Sequence, residues 1–297
     1  MQMNNSEKAL SPDEILAGWR ALVATGAHVH LPQIAEHLKV PQAALLAARV
    51  GTGATRLQPD LAAVLRPIRD WHRVLLVASS ELGVFMPMDH ITNLTEDSTG
   101  LGLFGDTSSA RIDPSLAHEV YIFEDNETGP GTSKSIQAFD GAGQSLLKVI
   151  LFHKPSFRAA LDWTAGFVHP DQSRKWRPAT GGDAGGSSAI ARNNKVAETG
   201  GQGGDMPPHA FAETLEHVRE TGQQLEIRAR SPGVDVTWRG QLTKLRLVGP
   251  MVHLHEATLR AHLNLAKATA GGTKDALTAL FVPGQSVPAL EIVKGGS

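Results

Sequence analysis

The sequence has 297 residues, of which 41% are apolar and 20% charged, and its formal net charge is −2. This composition is typical of globular proteins, and the charge gives no general attraction to nucleic acid or to an anionic membrane. The absence of cysteine excludes disulfides, thiolate nucleophiles and cysteine metal ligands. No apolar run reaches the roughly 20 residues of a transmembrane helix, and the first residues lack an apolar signal segment, so a cytoplasmic protein is expected.

The N-terminal third is expected to be helical. Ser11-Pro-Asp-Glu14 has the pattern of a capping box, with proline at the first helical position. The apolar residues that follow have the spacing of one helix face, namely Ile15, Leu16, Trp19, Leu22 and Val23. Further helices are expected over residues 31–38, 42–48 and 59–71.

From residue 73 the pattern changes to short runs of alternating apolar and polar residues, separated by turn residues, which is typical of a β-sheet. Strands are expected within residues 74–78, 84–88, 121–123, 135–139 and 148–152. Asp140-Gly-Ala-Gly143 has the composition of a hairpin turn between the last two strands. A helix over residues 156–167 would complete the first half of the chain.

Residues 170–207 interrupt this pattern, since they contain few large apolar residues and eight glycines between Gly181 and Gly204. Such a segment buries too little apolar surface to offset the entropy of ordering it, so the sequence predicts a flexible linker. Structure is expected to resume with a helix over residues 208–220. Six strands should follow, within residues 224–230, 234–238, 242–247, 259–267, 275–281 and 289–293.

The ends of the two strand-rich regions resemble each other. Residues 131–145 align with residues 272–286, which places Ile136 opposite Leu277 and Phe139 opposite Leu280. This alignment favours an internal duplication. The sequence therefore predicts an α+β protein of two similar halves, each an antiparallel β-sheet with flanking helices. The halves are expected over residues 1–169 and, in shortened form, 208–297, with the glycine-rich linker between them.

Four stretches, taken in order, carry a resemblance to a known family. They are residues 34–49 with Val50-Gly51 and Thr55-Arg-Leu57, residues 134–143 with Lys148-Val149, Leu242-Thr-Lys-Leu245 with Gly249-Pro250 and His253-Leu254, and residues 211–221 running into 225–230. In this order they resemble the hemin-degrading factor family, the cytoplasmic haem-utilisation proteins of the HemS and ChuX type.

The resemblance implies a duplicated α+β fold that binds haem in a cleft between the halves. It also implies a role as a haem carrier or as a haem-degrading enzyme. Degradation needs an electron donor and oxygen, and the sequence shows no reductase site, so the carrier role is the one expected. The implied partners are haem and a haem importer or haem-degrading enzyme, with no membrane insertion.

Two departures from the family pattern fall on its haem site. The family places its axial histidine in a segment resembling W-R-x-M-T-D-V-H, whose start matches residues 176–180, but the eighth position here is Asp183. The family also has an arginine in a D-L-R-like segment, where Ser115 is the matching residue and Arg111 lies just upstream. These departures motivate an alternative function, that of a scaffold or regulatory protein that keeps the fold and has lost haem.

Haem needs an axial donor, basic groups for its propionates and an apolar slot. His169 and His209 flank the linker and are candidate haem ligands, although histidines at linker ends are commonly just exposed. Arg246 is a candidate donor to a propionate. His253 is a further candidate ligand, and on a strand it would share one face with His255, which suits packing or, given a third ligand, a metal ion.

A third possibility is a DNA-binding regulator, because residues 31–45 resemble a helix-turn-helix around Lys39-Val-Pro41. A recognition helix normally offers Arg, Lys, Asn or Gln side chains to the bases. The second helix here, Gln42-Ala-Ala-Leu-Leu-Ala-Ala-Arg49, is nearly all small and apolar. Burial of this helix is therefore expected, and nucleic acid is not the expected partner.

Overall fold

The computed structural model of the protein describes residues 10–25, 31–125, 133–179, 208–271, 276–282 and 288–295. The α-helices of these residues are α1 (Pro12–Ala24), α2 (Leu31–Leu38), α3 (Gln42–Ala48), α4 (Leu61–Leu65), α5 (Lys154–Thr164) and α6 (Pro208–Thr221). Among the described helices, none combines the length and the hydropathy that a membrane span requires.

The strands of the first half are β1 (Ala54–Leu57), β2 (Val74–Ser80), β3 (Gly83–Asp89), β4 (Ile91–Asp97), β5 (Gly100–Gly105), β6 (Ser108–Ile112), β7 (Glu119–Asp125), β8 (Ser133–Phe139) and β9 (Ser145–Leu151). Those of the second half are β10 (Gln224–Ser231), β11 (Val234–Gln241), β12 (Leu245–Val248), β13 (Met251–His255), β14 (Leu259–Asn264), β15 (Thr269–Gly271), β16 (Ala276–Phe281) and β17 (Leu290–Lys294).

Helix α1 begins with the capping box that the sequence predicts. The Ser11 hydroxyl accepts a hydrogen bond from the Glu14 N–H at 3.3 Å, and the Glu14 carboxylate accepts one from the Ser11 N–H at 2.7 Å. The helix predicted over 59–71 is instead divided into α4 and a 3-10 turn, Arg66–Asp70. Pro67 accounts for the division, because it has no N–H to continue the α-helical pattern.

All sheet pairings are antiparallel and build two sheets. The first sheet has the order β1-β7-β8-β9-β2-β3-β14-β13-β12, and the second has the order β15-β16-β17-β10-β11-β6-β5-β4. The predicted α+β architecture of two antiparallel sheets with flanking helices is therefore confirmed. Neither sheet belongs to one half, however, because the halves exchange strands: β4 to β6 lie in the second sheet and β12 to β14 in the first.

The two sheets repeat the same arrangement once β1 is set aside. The order β7-β8-β9-β2-β3 followed by β14-β13-β12 corresponds, strand by strand, to β15-β16-β17-β10-β11 followed by β6-β5-β4. Strands β8 and β16, which carry the aligned stretches of the sequence, are thus equivalent in position. Ile136 is buried whereas Leu277 is 45% exposed, because β16 has a register shift between Ala276 and Thr278.

Two contacts fix the junctions where the halves meet. At the junction of β3 and β14, Gly83 (φ +139°) is the Cα partner of Leu263, and a Cβ at Gly83 would lie 2.0 Å from the His262 carbonyl oxygen. Only glycine allows this approach of the two backbones. Asp89 ends β3, and its Oδ2 accepts hydrogen bonds from the N–H groups of Thr107 and Ser108 at 2.7 and 2.9 Å, which ties the first sheet to the start of β6.

The main core lies between the two sheets. Strand faces from both sheets contribute to it, and α6 adds Phe211, Leu215 and Val218. A second cluster covers the opposite face of β1, β7 and β8 with helices α1 to α3. In this cluster every residue of α3 from Ala43 to Ala48 is buried. The helix that would contact bases in a helix-turn-helix therefore has no face available for a DNA groove.

Candidate functional site

Two of the four site residues predicted from the sequence lie side by side. Arg246 on β12 and His253 on β13 are Cα partners, so their side chains project from the same face of the first sheet. Arg246 is exposed and His253 is half-buried. This face is the outer one, because the alternate residues Val252 and Leu254 point into the core between the sheets.

His253 belongs to a cluster of three histidines, which we call the histidine cluster: His253, His255 and His262. His262 on β14 is the Cα partner of His253, and the two Nδ1 atoms are 2.7 Å apart. One donor nitrogen from each of the three rings lies within 4.8 Å of the others. His262 was not predicted from the sequence because β13 was not predicted. A β13–β14 hairpin, once assumed, would have placed His262 opposite His253.

His169 lies at the other edge of the first sheet. Its Nδ1 accepts a hydrogen bond from the Asp171 backbone N–H at 3.0 Å, and the backbone N–H of His169 donates to the Arg56 carbonyl at 3.0 Å. Seven strand spacings of about 4.8 Å separate β1 from β13, or roughly 34 Å before twist. His169 and the pair Arg246 and His253 therefore cannot contact the same small ligand.

Next to His169, residues 169–179 form a stretch without regular structure that we call the docked segment. The buried Arg56 side chain holds it: its Nη1 donates to the Asp171 carbonyl at 3.0 Å and its Nη2 to the Lys175 carbonyl at 2.9 Å. Arg174 adds a hydrogen bond to the Ala48 carbonyl at 3.0 Å. These contacts fix residues 169–179 in place, although the composition of residues 170–179 is that of a flexible linker. Residues 180–207, including Asp183, lie outside the described residues.

Trp176 is the apolar anchor of the docked segment. It packs against the helical cluster, and the Ala179 N–H donates to the Gly141 carbonyl at 3.1 Å. Gly143 has a left-handed backbone (φ +76°), and a Cβ there would lie 2.9 Å from the indole ring of Trp176. The tryptophan therefore has a structural role against the hairpin turn 140–143.

Arg56 also meets a buried acid. Its Nε lies 3.3 Å from the Tyr121 hydroxyl and 3.6 Å from a carboxylate oxygen of Glu119. Burial raises the pKa of Glu119, although the hydrogen bond from Tyr121 and the positive charge of Arg56 oppose this effect. Burial likewise raises the pKa of Tyr121, assisted by the negative charge of Glu119. Arg56, Glu119 and Tyr121 can together hold a proton. They lie under the docked segment, however, so we assign them a structural role.

His209 lies in the first turn of α6 and is exposed. Pro208, the residue before it, is the first that the structure describes after residue 179. Its helix packs through Phe211, Leu215 and Val218 into the core between the sheets, so the helix start is firmly positioned. An exposed imidazole on a fixed helix can accept an external ligand.

The second sheet carries arginines on its outer face that were not predicted as a group from the sequence. Arg111 pairs with Asp97 at 3.2 Å, and Glu226 contacts both Arg228 and Arg239. Burial alone would raise the pKa of Glu226, but the hydrogen bonds from Arg239 and Arg228 hold it below its ordinary value.

Ser115, which occupies the position of the family's arginine, forms hydrogen bonds within its own turn. Asp113 caps the 3-10 turn Pro114–Leu116, and its Oδ1 accepts hydrogen bonds from the Ser115 N–H at 3.1 Å and from the Ser115 hydroxyl at 2.5 Å. Ser115 therefore stabilises a turn rather than offering a positive charge.

The exchange of strands between two repeats defines a duplicated α+β sandwich, and solved structures share it. The chain superposes on holo-PhuS, a heme-binding protein from Pseudomonas aeruginosa, with a TM-score of 0.79 and 18% identity over 97% of this chain and 94% of that one. The heme degrading enzyme ChuS of Escherichia coli O157:H7 gives a TM-score of 0.79 and 18% identity, over 97% of this chain and 95% of that one. At this identity the matches establish the fold.

Residues 39–166 match the family described as the haemin-degrading HemS.ChuX domain. No curated protein matches the sequence significantly. The family match over residues 39–166 and the shared fold confirm the resemblance to the HemS and ChuX type that the sequence predicts.

Proposed function

We propose that this protein binds haem in the cytoplasm and carries it, receiving haem from an importer or passing it to a haem-degrading enzyme. The observation that carries the proposal is the HemS.ChuX domain at residues 39–166, within a chain that has the complete fold of holo-PhuS. A carrier needs only reversible binding of haem. Degradation would also need an electron donor and oxygen, with the porphyrin supplying most of the chemistry.

His209 and His169 are the proposed axial ligands. His209 is exposed on the first turn of a packed helix, so an iron atom can approach it directly. His169 is half-buried, and because its Nδ1 accepts from the Asp171 N–H, only Nε2 could reach iron. His253 is the weaker candidate, because haem iron takes one donor on each side of the porphyrin, whereas three imidazoles converge at the histidine cluster. Arg246 remains the proposed contact for a propionate only if His253 is the ligand.

A titration of the full chain with hemin, followed by Soret absorbance, tests the proposal. The wild-type protein should give a saturable band shift at micromolar concentration, and no saturable shift would refute haem binding. His209→Ala and His169→Ala should each be titrated beside His217→Ala, which removes an exposed histidine from the middle of α6. Loss of the shift in one variant alone identifies the ligand. Unchanged spectra in both direct the assignment to His253.

The carrier role needs a second measurement on the hemin-loaded protein. With ascorbate and oxygen present, a carrier should keep its Soret band, and apomyoglobin added in excess should take up the haem. Steady loss of the Soret band with release of iron would instead show degradation.

One observation favours the alternative, a protein that keeps the fold and has lost haem. Three arginines on the outer face of the second sheet are already paired with carboxylates: Arg111 with Asp97, and Arg228 and Arg239 with Glu226. A propionate would have to displace an existing partner to bind any of them. Under this alternative the hemin titration shows only the linear absorbance of free hemin.

A further inference from the structure

The histidine cluster has the composition and spacing of a metal centre. We propose that His253, His255 and His262 bind a divalent transition-metal ion of the zinc class, with a fourth coordination position open to solvent. The proposal goes beyond haem binding and does not depend on it. Imidazole nitrogen is a preferred ligand of zinc, copper and nickel, and three protein ligands with one open position are typical of reactive zinc sites.

Strand geometry brings the three side chains together. His253 and His255 are two residues apart on β13, so they project from the same face, and His262 is the direct cross-strand partner of His253 on β14. The β13–β14 hairpin is held at its closed end, where the Glu256 N–H donates to the Leu259 carbonyl at 2.7 Å. The ligands are therefore carried on paired strands, which position side chains more accurately than loops do.

The distances suit one small ion. The three ring centroids are 5.0 Å (His253–His262), 5.4 Å (His255–His262) and 6.4 Å (His253–His255) apart. Zinc–nitrogen bonds of about 2.0–2.1 Å in a tetrahedron place the ligand nitrogens roughly 3.3 Å from one another. The closest pair, the Nδ1 atoms of His253 and His262 at 2.7 Å, need only move apart by a fraction of an ångström. The donor atoms of all three rings, within 4.8 Å of one another, can converge by rotation of the rings.

The charges around the cluster determine what the fourth ligand would be. Arg246 is the cross-strand partner of His253, and Arg260 is the partner of His255, so two positive charges lie on the same face. The nearby Glu256 carboxylate accepts hydrogen bonds from the N–H groups of Thr243 and Lys244 at 2.6 and 2.7 Å, so it is engaged outside the cluster. The arginines weaken the binding of a bare cation and favour an anion in the open position. We therefore expect a metal ion whose fourth ligand is an anionic oxygen donor or hydroxide.

Burial is also graded in a way that suits an open metal site. His253 and His262 are half-buried, whereas His255 is exposed. On the other side of β14, Val84 and Met86 of β3 are the partners of His262 and Arg260, and they supply an apolar margin. Two ligands are thus shielded by the sheet, and the third faces the solvent from which the ion arrives.

The test is a zinc titration of the full-length protein after treatment with a chelator, in competition with a chromophoric zinc indicator. The wild-type protein should bind one equivalent through the cluster, with micromolar or tighter affinity. His262→Ala and His255→Ala should weaken that equivalent at least tenfold. His217→Ala should leave it unchanged. Circular dichroism and His262→Gln control for folding, since glutamine keeps a polar side chain at this half-buried position.

Cobalt(II) adds a signature that a purely structural histidine would not give. Wild-type protein loaded with Co²⁺ should show the intense visible absorption of four-coordinate cobalt, and His262→Ala should lose it. Zinc affinity that is equal in wild-type protein and His262→Ala, or a wild-type protein that binds no zinc, would overturn the proposal.

Hemin titrations of the same variants separate this proposal from haem binding. His262→Ala should keep the Soret shift of the wild-type protein while losing zinc. If His253→Ala and His262→Ala both lose the Soret shift, and the wild-type protein binds no zinc, the cluster is a haem ligand set and the metal proposal is wrong. If zinc binds and hemin does not, the metal site stands and the proposed haem function fails.

Discussion

Replacement of Arg56 by alanine should both destabilise the fold and release the docked segment. Arg56 is only 4% exposed, and it contacts the Tyr121 hydroxyl, the Glu119 carboxylate and the carbonyls of Asp171 and Lys175. Removing one partner of a buried ion pair costs about 3–5 kcal/mol, because the other charge is left buried and unpaired. The two carbonyls contribute less, since a released segment returns them to water.

The free energy of unfolding, measured with urea, should therefore fall by about 3–5 kcal/mol in Arg56→Ala. Arg158→Ala is the matched control, because Arg158 is 78% exposed and its pair with Asp162 lies at the surface, where it is worth less than about 0.5 kcal/mol. Limited trypsin digestion gives an independent readout, since the segment contains cleavable bonds after Arg174 and Lys175.

Under native conditions, Arg56→Ala should be cut at these two bonds much faster than the wild-type protein, as mass spectrometry of the fragments would show. A loss of stability below about 1 kcal/mol, together with unchanged cleavage at both bonds, would refute the account of how the segment is held.

Trp176→Ala should lower the free energy of unfolding by roughly 2–3 kcal/mol, less than for a fully buried tryptophan, and equal stability by urea unfolding would contradict its role as an anchor. Burial raises the pKa of Glu119, so its carboxyl group stays protonated to higher pH in the folded protein than in the unfolded chain. The stability that this proton contributes to the wild-type protein is lost as pH rises from about 4.3 through the raised pKa. Glu119→Gln cannot titrate, so its stability relative to wild type should increase over that pH range, and a decrease would show that the pKa is lowered instead. Asp89→Ala should cost about 2–4 kcal/mol, because two backbone N–H groups at the start of β6 lose their acceptor, and thermal unfolding within 1 °C of wild type would exclude that role.

Much of the fold follows from local sequence patterns. The capping box fixes the start of α1, a continuous apolar run locates β2, and alternating apolar residues locate β3, β8 and β10. Strand β4 was missed because it is mostly exposed and has no alternating apolar pattern. Strand β13 was also missed, although it has the alternation, with Val252 and Leu254 inward.

The exchange of strands between the halves could not be predicted from local patterns. The pairing of β3 with β14 joins residues far apart in the chain, and its signal in the sequence is only the glycine at position 83. The position of the docked segment could not be predicted from local patterns either. Its composition is that of a linker, and its position depends on the distant residues Arg56 and Gly143.

Of the candidate site, the sequence predicted individual residues but not their grouping. Arg246 and His253 were predicted separately and prove to be cross-strand partners, while His169 lies at the opposite edge of the same sheet. His262 was not predicted because its closeness to His253 depends on hairpin register. The proposed haem ligand, whether His169, His209 or His253, stays a prediction that the variants described above test.

The proposal that this chain binds haem is tested most directly by the stoichiometry of the isolated complex. The full-length protein is incubated with excess hemin and passed through a gel-filtration column, and haem and protein are quantified in the eluted peak. We predict one haem per chain, co-eluting with the protein and lost in the variant that removes the axial histidine. Elution of the protein without haem would contradict the proposal, whereas a haem content that all histidine variants share would contradict the assignment of a histidine ligand.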